Sequence, residues 1–421
     1  MARAGRELTG PDAARRAVEA VWRIESARIV AGLTRHTGNF GFAEDLAQEA
    51  LAEALASWAD SGVPTNPGAW LMTTAKRRAI DAWRRRERLD ERYAWLAVTV
   101  RETDDDAPWD DVIDDDVLRL VFVACHPVLA REASVALTLR VVGGLTTEEI
   151  ARAFVVPVPT VQQRIVRAKR TLAAARVPFE VPGRDEFAPR LSAVLSVLYL
   201  IFNEGHTATS GEQLLRPDLA MEALRLARVL AELLPREADV HGLVALMSLV
   251  AARFPARVDA AGEAVLLADQ DRSLWDRSLV ARGRAALARA DALGRGRGPY
   301  ALQAAIAECH DVARGVGDTD WDRIVLLYEA LGRVAPSPVT ELNRAAAVSM
   351  AFGPAQALEI VDGLMAGGAL TGYPGLPGVR GELLARLGRF DEARAEFAIA
   401  AREATNAKER AVFERKLHRL R

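Results

Sequence analysis

The 421-residue chain lacks most of what marks a secreted, membrane-bound or β-rich protein. Its two cysteines, Cys125 and Cys309, are too few for a disulfide framework, which points away from an oxidising compartment. No uninterrupted apolar run of about 18 residues occurs and no N-terminal stretch has a signal peptide's apolar segment, so neither spanning nor export is expected and the chain is read as cytoplasmic. Alternating Val/Ile/Thr runs bounded by hairpin turns are missing, which argues against a sheet-based fold. A strong charge of either sign is missing too: the net charge of -2 argues against a generally basic nucleic-acid coat protein. Lysine is scarce, four residues against 51 arginines, a bias read as the mark of a GC-rich genome. Arginine position therefore carries more weight than arginine number.

What is present is helical. With 50% hydrophobic and 27% charged residues the chain can bury two or three cores, and its apolar residues recur at three-and-four spacing, so an all-α protein is expected. The most informative stretch runs from Leu145 to Leu172, LTTEEIARAFVVPVPTVQQRIVRAKRTL. Thr146 and Glu149 have capping-box spacing, and Ile150, Ala151 and Phe154 supply an apolar face. The segment Val155 to Pro159 ends that helix, and Pro159 is tolerated in the first turn of the next, giving a helix-turn-helix. On the second helix Val161, Ile165, Ala168 and Leu172 share the inward stripe. Thr160, Gln163, Arg167 and Arg170 fall opposite, with Arg164 at the edge. Five cations and no carboxylate between Thr160 and Arg176 suit a helix lying between phosphate backbones. A solvated basic face has the same pattern, so the rest of the chain must decide.

Upstream, residues 12–93 hold three helix patterns. In AEDLAQEALAEALASW, Ala47, Leu51, Leu55 and Trp58 are expected to form the packed stripe, leaving Asp45, Gln48 and Glu49 as a polar patch, either solvated or a docking surface for a basic partner. NPGAWLMTTAKRRAIDAWRRRER carries Lys76, Arg77, Arg78, Arg84, Arg85, Arg86 and Arg88 with Trp70 and Trp83 among them. That composition suits phosphate contact with base stacking, whereas half-buried core tryptophans on a surface helix are the alternative. Asp81 lies four residues from both Arg77 and Arg85, so part of the charge is expected to pair internally. Residues 94–116 end in RETDDDAPWDDVIDDD, nine carboxylates and one arginine, and read as a flexible acidic linker without the spacing of a calcium loop. Residues 117–178 contain the helix-turn-helix. The dipeptides Cys125-His126 and Cys309-His310 lack metal-ligand spacing and read as buried structural residues, so no metal and no cofactor are expected.

These segments, in this order, resemble an extracytoplasmic-function sigma factor of the sigma-70 family, the bacterial RNA polymerase subunit that confers promoter specificity. AEDLAQEALAEAL is similar to that family's polymerase-binding helix, NPGAWLMTTAKRRAIDAWRRR to its minus-ten helix, and LTTEEIARAFVVPVPTVQQRIVRAKR to its minus-thirty-five reader. DDDVLRLVFVACHP, YLIFNEGHTATSG, DWDRIVLLYEAL and SPVTELNRAAAVSMAFGP resemble the group that carries a long helical C-terminal extension. The resemblance implies a non-enzymatic transcription factor with core RNA polymerase and promoter DNA as partners. It assigns Asp45, Gln48 and Glu49 to core docking. Trp70, Leu71, Asp81 and Arg85 match the minus-ten helix pattern, and Asn66, Trp70, Lys76, Arg77, Arg78, Arg84, Arg85 and Arg88 are the expected contacts to the minus-ten element, with the loop Ser61 to Asn66 as the expected pocket for an extruded base. Thr160, Val161 and Arg164 match the family's recognition helix, and Thr160, Gln163, Arg164, Arg167 and Arg170 are the expected contacts to the minus-thirty-five element. Arg77 stands where many members have asparagine and Gln163 where many have serine.

Residues 187–421 alternate amphipathic helices with Gly/Pro-marked turns, the pattern of stacked helical hairpins. Gly381, Leu384, Gly388, Ala393, Phe397 and Ala400 fit tetratricopeptide spacing, and a degenerate copy spans Asn343 to Leu364. Such a tail implies a protein partner or an intramolecular contact. Gly205 fits a helix C-cap, with a functional loop after it as the alternative. Two other readings stand beside the sigma factor: a helix-turn-helix regulator that does not bind polymerase, and an enzyme or small-molecule sensor in the tail. For the latter only Glu204, His206 and Cys309 are candidates.

Overall fold

The computed structural model describes residues 11–89, 109–154, 156–206, 216–259, 264–294, 296–368, 370–404 and 406–420. The chain is all-α. Among the described residues, the one extended pairing is an isolated bridge between Val258 and Ala264. Two units divide the chain at Val197 and Leu198.

The first unit begins with α1 (Pro11–Thr37), α2 (Phe40–Ser61) and α3 (Pro67–Leu89). Asn39 starts α2, its Oδ1 accepting from Phe42 N at 3.0 Å and so satisfying one of the helix's free amides. Asn66 does the same for α3, accepting from Ala69 N at 3.1 Å. The buried stripe of α2 is rotated from the expected one. Leu46, Ala47, Ala50, Ala54 and Trp58 face inward, while Leu55 is 44% exposed. Small alanines occupy the stripe because α1 and α3 both press on α2, and a wide leucine is placed where neither helix approaches. Trp58 is buried and meets Trp70 of α3 edge to face at 5.4 Å.

The acidic tract departs from expectation. Its last part is the start of α4 (Trp109–Ala124), and residues 101–108 lie outside the described residues. Asp116 is buried, with Arg35 Nε at 3.1 Å and Arg119 Nη1 at 2.6 Å, so the tract's final charge is neutralised rather than solvated. Helices α5 (Arg131–Val141), α6 (Thr147–Phe154) and α7 (Val158–Ala174) follow. Cys125 is a buried free thiol 3.3 Å from Thr138 Oγ1, and burial pushes its pKa up to about 11, as befits an inert core residue.

Helix α8 (Arg184–His206) leads into the second unit, which contains α9 (Pro217–Leu233), α10 (Ala238–Ala251), α11 (Arg277–Leu293), α12 (Pro299–Val312), α13 (Trp321–Val334), α14 (Pro338–Ala351), α15 (Pro354–Ala366), α16 (Gly375–Arg386), α17 (Phe390–Glu403) and α18 (Ala407–Arg419). From α12 onward each helix packs on the next, and one apolar cluster runs from Leu302 to Phe397. The stretch Ala238–Ala256 is long and apolar enough on average to cross a membrane, but most of it is buried inside the protein.

Two glycines explain how close the helices come. A Cβ on Gly381 would lie 2.8 Å from the Phe397 ring, so only glycine admits that ring between α16 and α17. Gly205 is not the expected C-cap. It lies within α8, where a Cβ would meet Ala220 N at 2.4 Å, and its carbonyl accepts from Arg216 N at 2.8 Å. Its role is to let α9 pack backbone against backbone.

Candidate nucleic-acid interface

The helix-turn-helix forms as its local chemistry dictates. Glu149 N donates to Thr146 Oγ1 at 3.1 Å and Thr146 N donates to Glu149 Oε2 at 2.8 Å, the two halves of a capping box. Burial raises a carboxyl's pKa, but these bonds and Arg23, whose Nη2 donates to Glu149 Oε1 at 2.7 Å, outweigh it and hold Glu149 below its ordinary value. Val155 lies outside the described residues. Pro159 sits in the first turn of α7, where its missing amide costs no helical bond.

Val161, Ile165, Ala168 and Leu172 are the buried residues of α7. On the opposite side Gln163, Arg167 and Arg170 are exposed, and Thr160 and Arg164 are half-buried. Among the described residues, no side chain engages Gln163, Arg164, Arg167 or Arg170, so three guanidiniums and an amide are presented together along one helix face. The geometry suits a helix lying in a major groove, with cations for phosphates and an amide for a base edge.

Lys169, on the flank of the same helix, is committed inward. Its Nζ donates to Glu44 of α2 and, at 2.9 Å, to Asp45 Oδ1. Glu44 is only 4% exposed and also faces Arg140 Nε at 3.4 Å. Burial alone would lower the lysine pKa, yet Glu44 and Asp45 prevail and raise it above the ordinary lysine value. Of the proposed core-docking residues, Asp45 thus carries this bond and Glu49 pairs with Arg78 Nη1 at 3.0 Å, while Gln48 is half-buried.

On α3 the candidates separate. Asn66 and Arg77 are exposed, and Lys76 and Trp70 are half-buried. Arg78 turns to α2, where Glu53 Oε2 receives bonds from Nε at 3.1 Å and Nη2 at 2.7 Å. The hydrogen bond to Glu53 is foremost in holding the Arg78 pKa up. The side chains of Trp83, Arg84, Arg85, Arg86 and Arg88 lie outside the described residues, although the helix backbone reaches Leu89.

Pairwise reading along one helix misses Glu44 and Lys169. The available signal was a charge within, or at the edge of, an apolar stripe: Glu44 precedes Ala47 by three residues, and Lys169 follows Ile165 by four and adjoins Ala168.

Residues 24–89 match the model of sigma-70 region 2, and residues 119–172 match that of sigma-70 region 4. The chain belongs to the extracytoplasmic-function sigma-70 family. Region 2 therefore takes in α2, α3 and most of α1, while region 4 ends in the basic helix α7. Residues 190–291, in the helical extension, match a family of unknown function (DUF6596). The chain is 44% identical over 402 residues to an uncharacterized protein, R00370, of Rhizobium meliloti, covering 92% of both chains. It is also 30% identical over 168 residues to the probable ECF RNA polymerase sigma factor SigI of Mycobacterium tuberculosis, covering 39% of this chain and 57% of that one. No solved structure matches. Membership gives the chain a sigma factor's role in promoter recognition, with core RNA polymerase and promoter DNA as partners.

Proposed function

We propose that α7 reads the minus-thirty-five element through Thr160, Gln163, Arg164, Arg167 and Arg170. In this reading α3 and the loop before it hold the melted minus-ten element through Asn66, Trp70, Lys76, Arg77, Arg78, Arg84, Arg85 and Arg88. Asp45, Gln48 and Glu49 dock on core polymerase. The observation that carries the proposal is the row of unengaged side chains on α7, in the helix-turn-helix of a chain whose upstream helices match sigma-70 region 2.

Asp45 cannot serve polymerase fully while Lys169 holds it. Opening of the α2–α7 contact therefore accompanies core binding, and the phosphates that α7 then meets compensate its released cation. The helices after α8 are read as a tetratricopeptide-like array that supports a protein partner or an intramolecular contact and thereby regulates the factor.

Transcription from a promoter library with purified core polymerase and the full chain tests this. Promoter-specific transcripts that vanish with Arg164→Ala plus Arg167→Ala are expected, and their absence with active core would refute the reading. Cutting the chain after Pro182 then separates the tail's effect: increased transcription assigns it an inhibitory role, and a decrease assigns it a positive one.

A further inference from the structure

In the second unit three half-buried arginines stand close together. Arg253, Arg257 and Arg272 approach one another around a single buried carboxylate, Asp311. Arg253 Nε takes Asp311 Oδ1 at 2.8 Å, and Arg253 and Arg272 both lie over the Trp275 ring, at 5.2 and 4.9 Å. Arg272 further donates to the carbonyls of His310 and Ala313. Arg257 has no such provision. Its Nη1 donates to His206 O at 2.9 Å, and among the described residues no carboxylate pairs with it. Burial foremost, and then the neighbouring Arg253, lower its pKa to about 10.

Arg257 is half-buried, and a guanidinium drawn that far out of water without an anion is costly to keep. Arg257 lines an open cavity of about 660 Å³ whose lining residues all belong to the second unit. Apolar side chains, among them Val250, Leu266, Val379 and Phe413, form much of its wall. Two other cations line it, and both are already neutralised: Arg253 by Asp311 at 2.8 Å and Lys416 by Glu382 at 2.6 Å. At the same wall Gln270 has a buried Oε1 with no partner among the described residues, an acceptor awaiting a donor. Glu409 also lines the cavity, and burial raises its pKa. The volume suits a small organic molecule, and few polar groups on an apolar wall suit one that is largely hydrocarbon.

We propose that this cavity binds a small organic anion, with a carboxylate or phosphate on Arg257 and an apolar body against Val250, Leu266, Val379 and Phe413. The tail is then a ligand-binding unit. This goes beyond the promoter-recognition reading and does not depend on it, since binding is measured without polymerase or DNA.

The test uses the full chain and the fluorescent apolar anion 8-anilinonaphthalene-1-sulfonate. Saturable binding of one dye per chain is expected, displaced by octanoate, octyl phosphate or both, and not by octylamine or octanol at equal concentration. Displacement by only one of the two anions would assign the headgroup. Arg257→Gln should weaken dye binding by about tenfold or more, and Arg257→Lys, which keeps the charge, should retain most of it. Val379→Trp, which fills the apolar wall, should abolish the site and serves as the deciding variant if Arg257→Gln does not fold. Displacement by octylamine as readily as by the anions would overturn the proposal. So would dye binding unchanged by a folded Arg257→Gln or by Val379→Trp.

Discussion

The ammonium of Lys169, on the helix that carries the DNA-reading face, is bound to the buried carboxylate of Glu44 on the helix that carries the polymerase-docking patch. Lys169→Ala leaves Glu44 with Arg140 alone, at 3.4 Å. Loss of a buried charge's partner should cost about 1–3 kcal/mol. Urea unfolding of the first unit should report that loss, and Glu44→Gln should reduce it in a double-mutant cycle. The same Lys169→Ala variant should bind core polymerase more tightly, because Asp45 is released. Weaker or unchanged core binding by a folded variant would count against the opening step.

The α7 face separates phosphate from base contacts. Arg170→Ala should weaken binding to all promoters alike and reduce the salt dependence by about one charge. Gln163→Ala should instead lose about 1–3 kcal/mol of discrimination at particular base pairs. Both residues are exposed, so circular dichroism and melting temperature should hardly change. Identical effects of the two substitutions across a promoter library would disprove the division.

Gly205 gives a stability test in the second unit. An added methyl at Gly205→Ala would lie 2.4 Å from a backbone nitrogen, which cannot move aside as a side-chain tip could. Overpacking of this kind costs about 1–3 kcal/mol, despite alanine's better helix propensity. Calorimetry should show a lowered transition, and an unchanged or raised one would place α9 farther from α8.

Acid should loosen the second unit. Burial, aided by nearby arginines, lowers the pKa of both His206 and His310 to about 3, so each remains neutral when folded and binds a proton at about pH 6.5 when unfolded. Their stabilisation is present above pH 6.5 and is lost as pH falls toward 3. Asp311 works in the opposite direction: burial raises its pKa to about 6, so between pH 6 and 3.8 the folded state holds a proton that the unfolded state lacks. From these three groups the unfolded state binds one net extra proton in that window, a loss of about 1.4 kcal/mol per pH unit. His310→Gln should flatten the pH dependence of unfolding free energy by that slope relative to the unsubstituted chain. Parallel curves would show that His310 is not held neutral.

Much of the first unit was legible in the sequence because its signals are local. The Thr146–Glu149 capping box, the Val161 to Leu172 stripe and Pro159 at the head of α7 each involve residues within a few positions of one another, where backbone geometry leaves little choice. The small-residue spacing at Gly381 and Phe397 was equally readable, since paired helices of fixed length bring those positions together. The rotation of α2 was not legible, because Leu46 and Leu55 are both plausible core residues until α1 and α3 are in place.

Amino-acid order alone therefore determined the helical class, the helix-turn-helix and the polarity of its faces, through hydrophobic period and capping. Tertiary structure decided which charges are free. Arg78 is drawn to Glu49 and Glu53, Lys169 to Glu44, and Arg35 to Asp116, while among the described residues Arg257 has no carboxylate partner. Ion pairing depends on distance in space and on burial, and partners 25 to 125 residues apart leave no periodic trace along the chain.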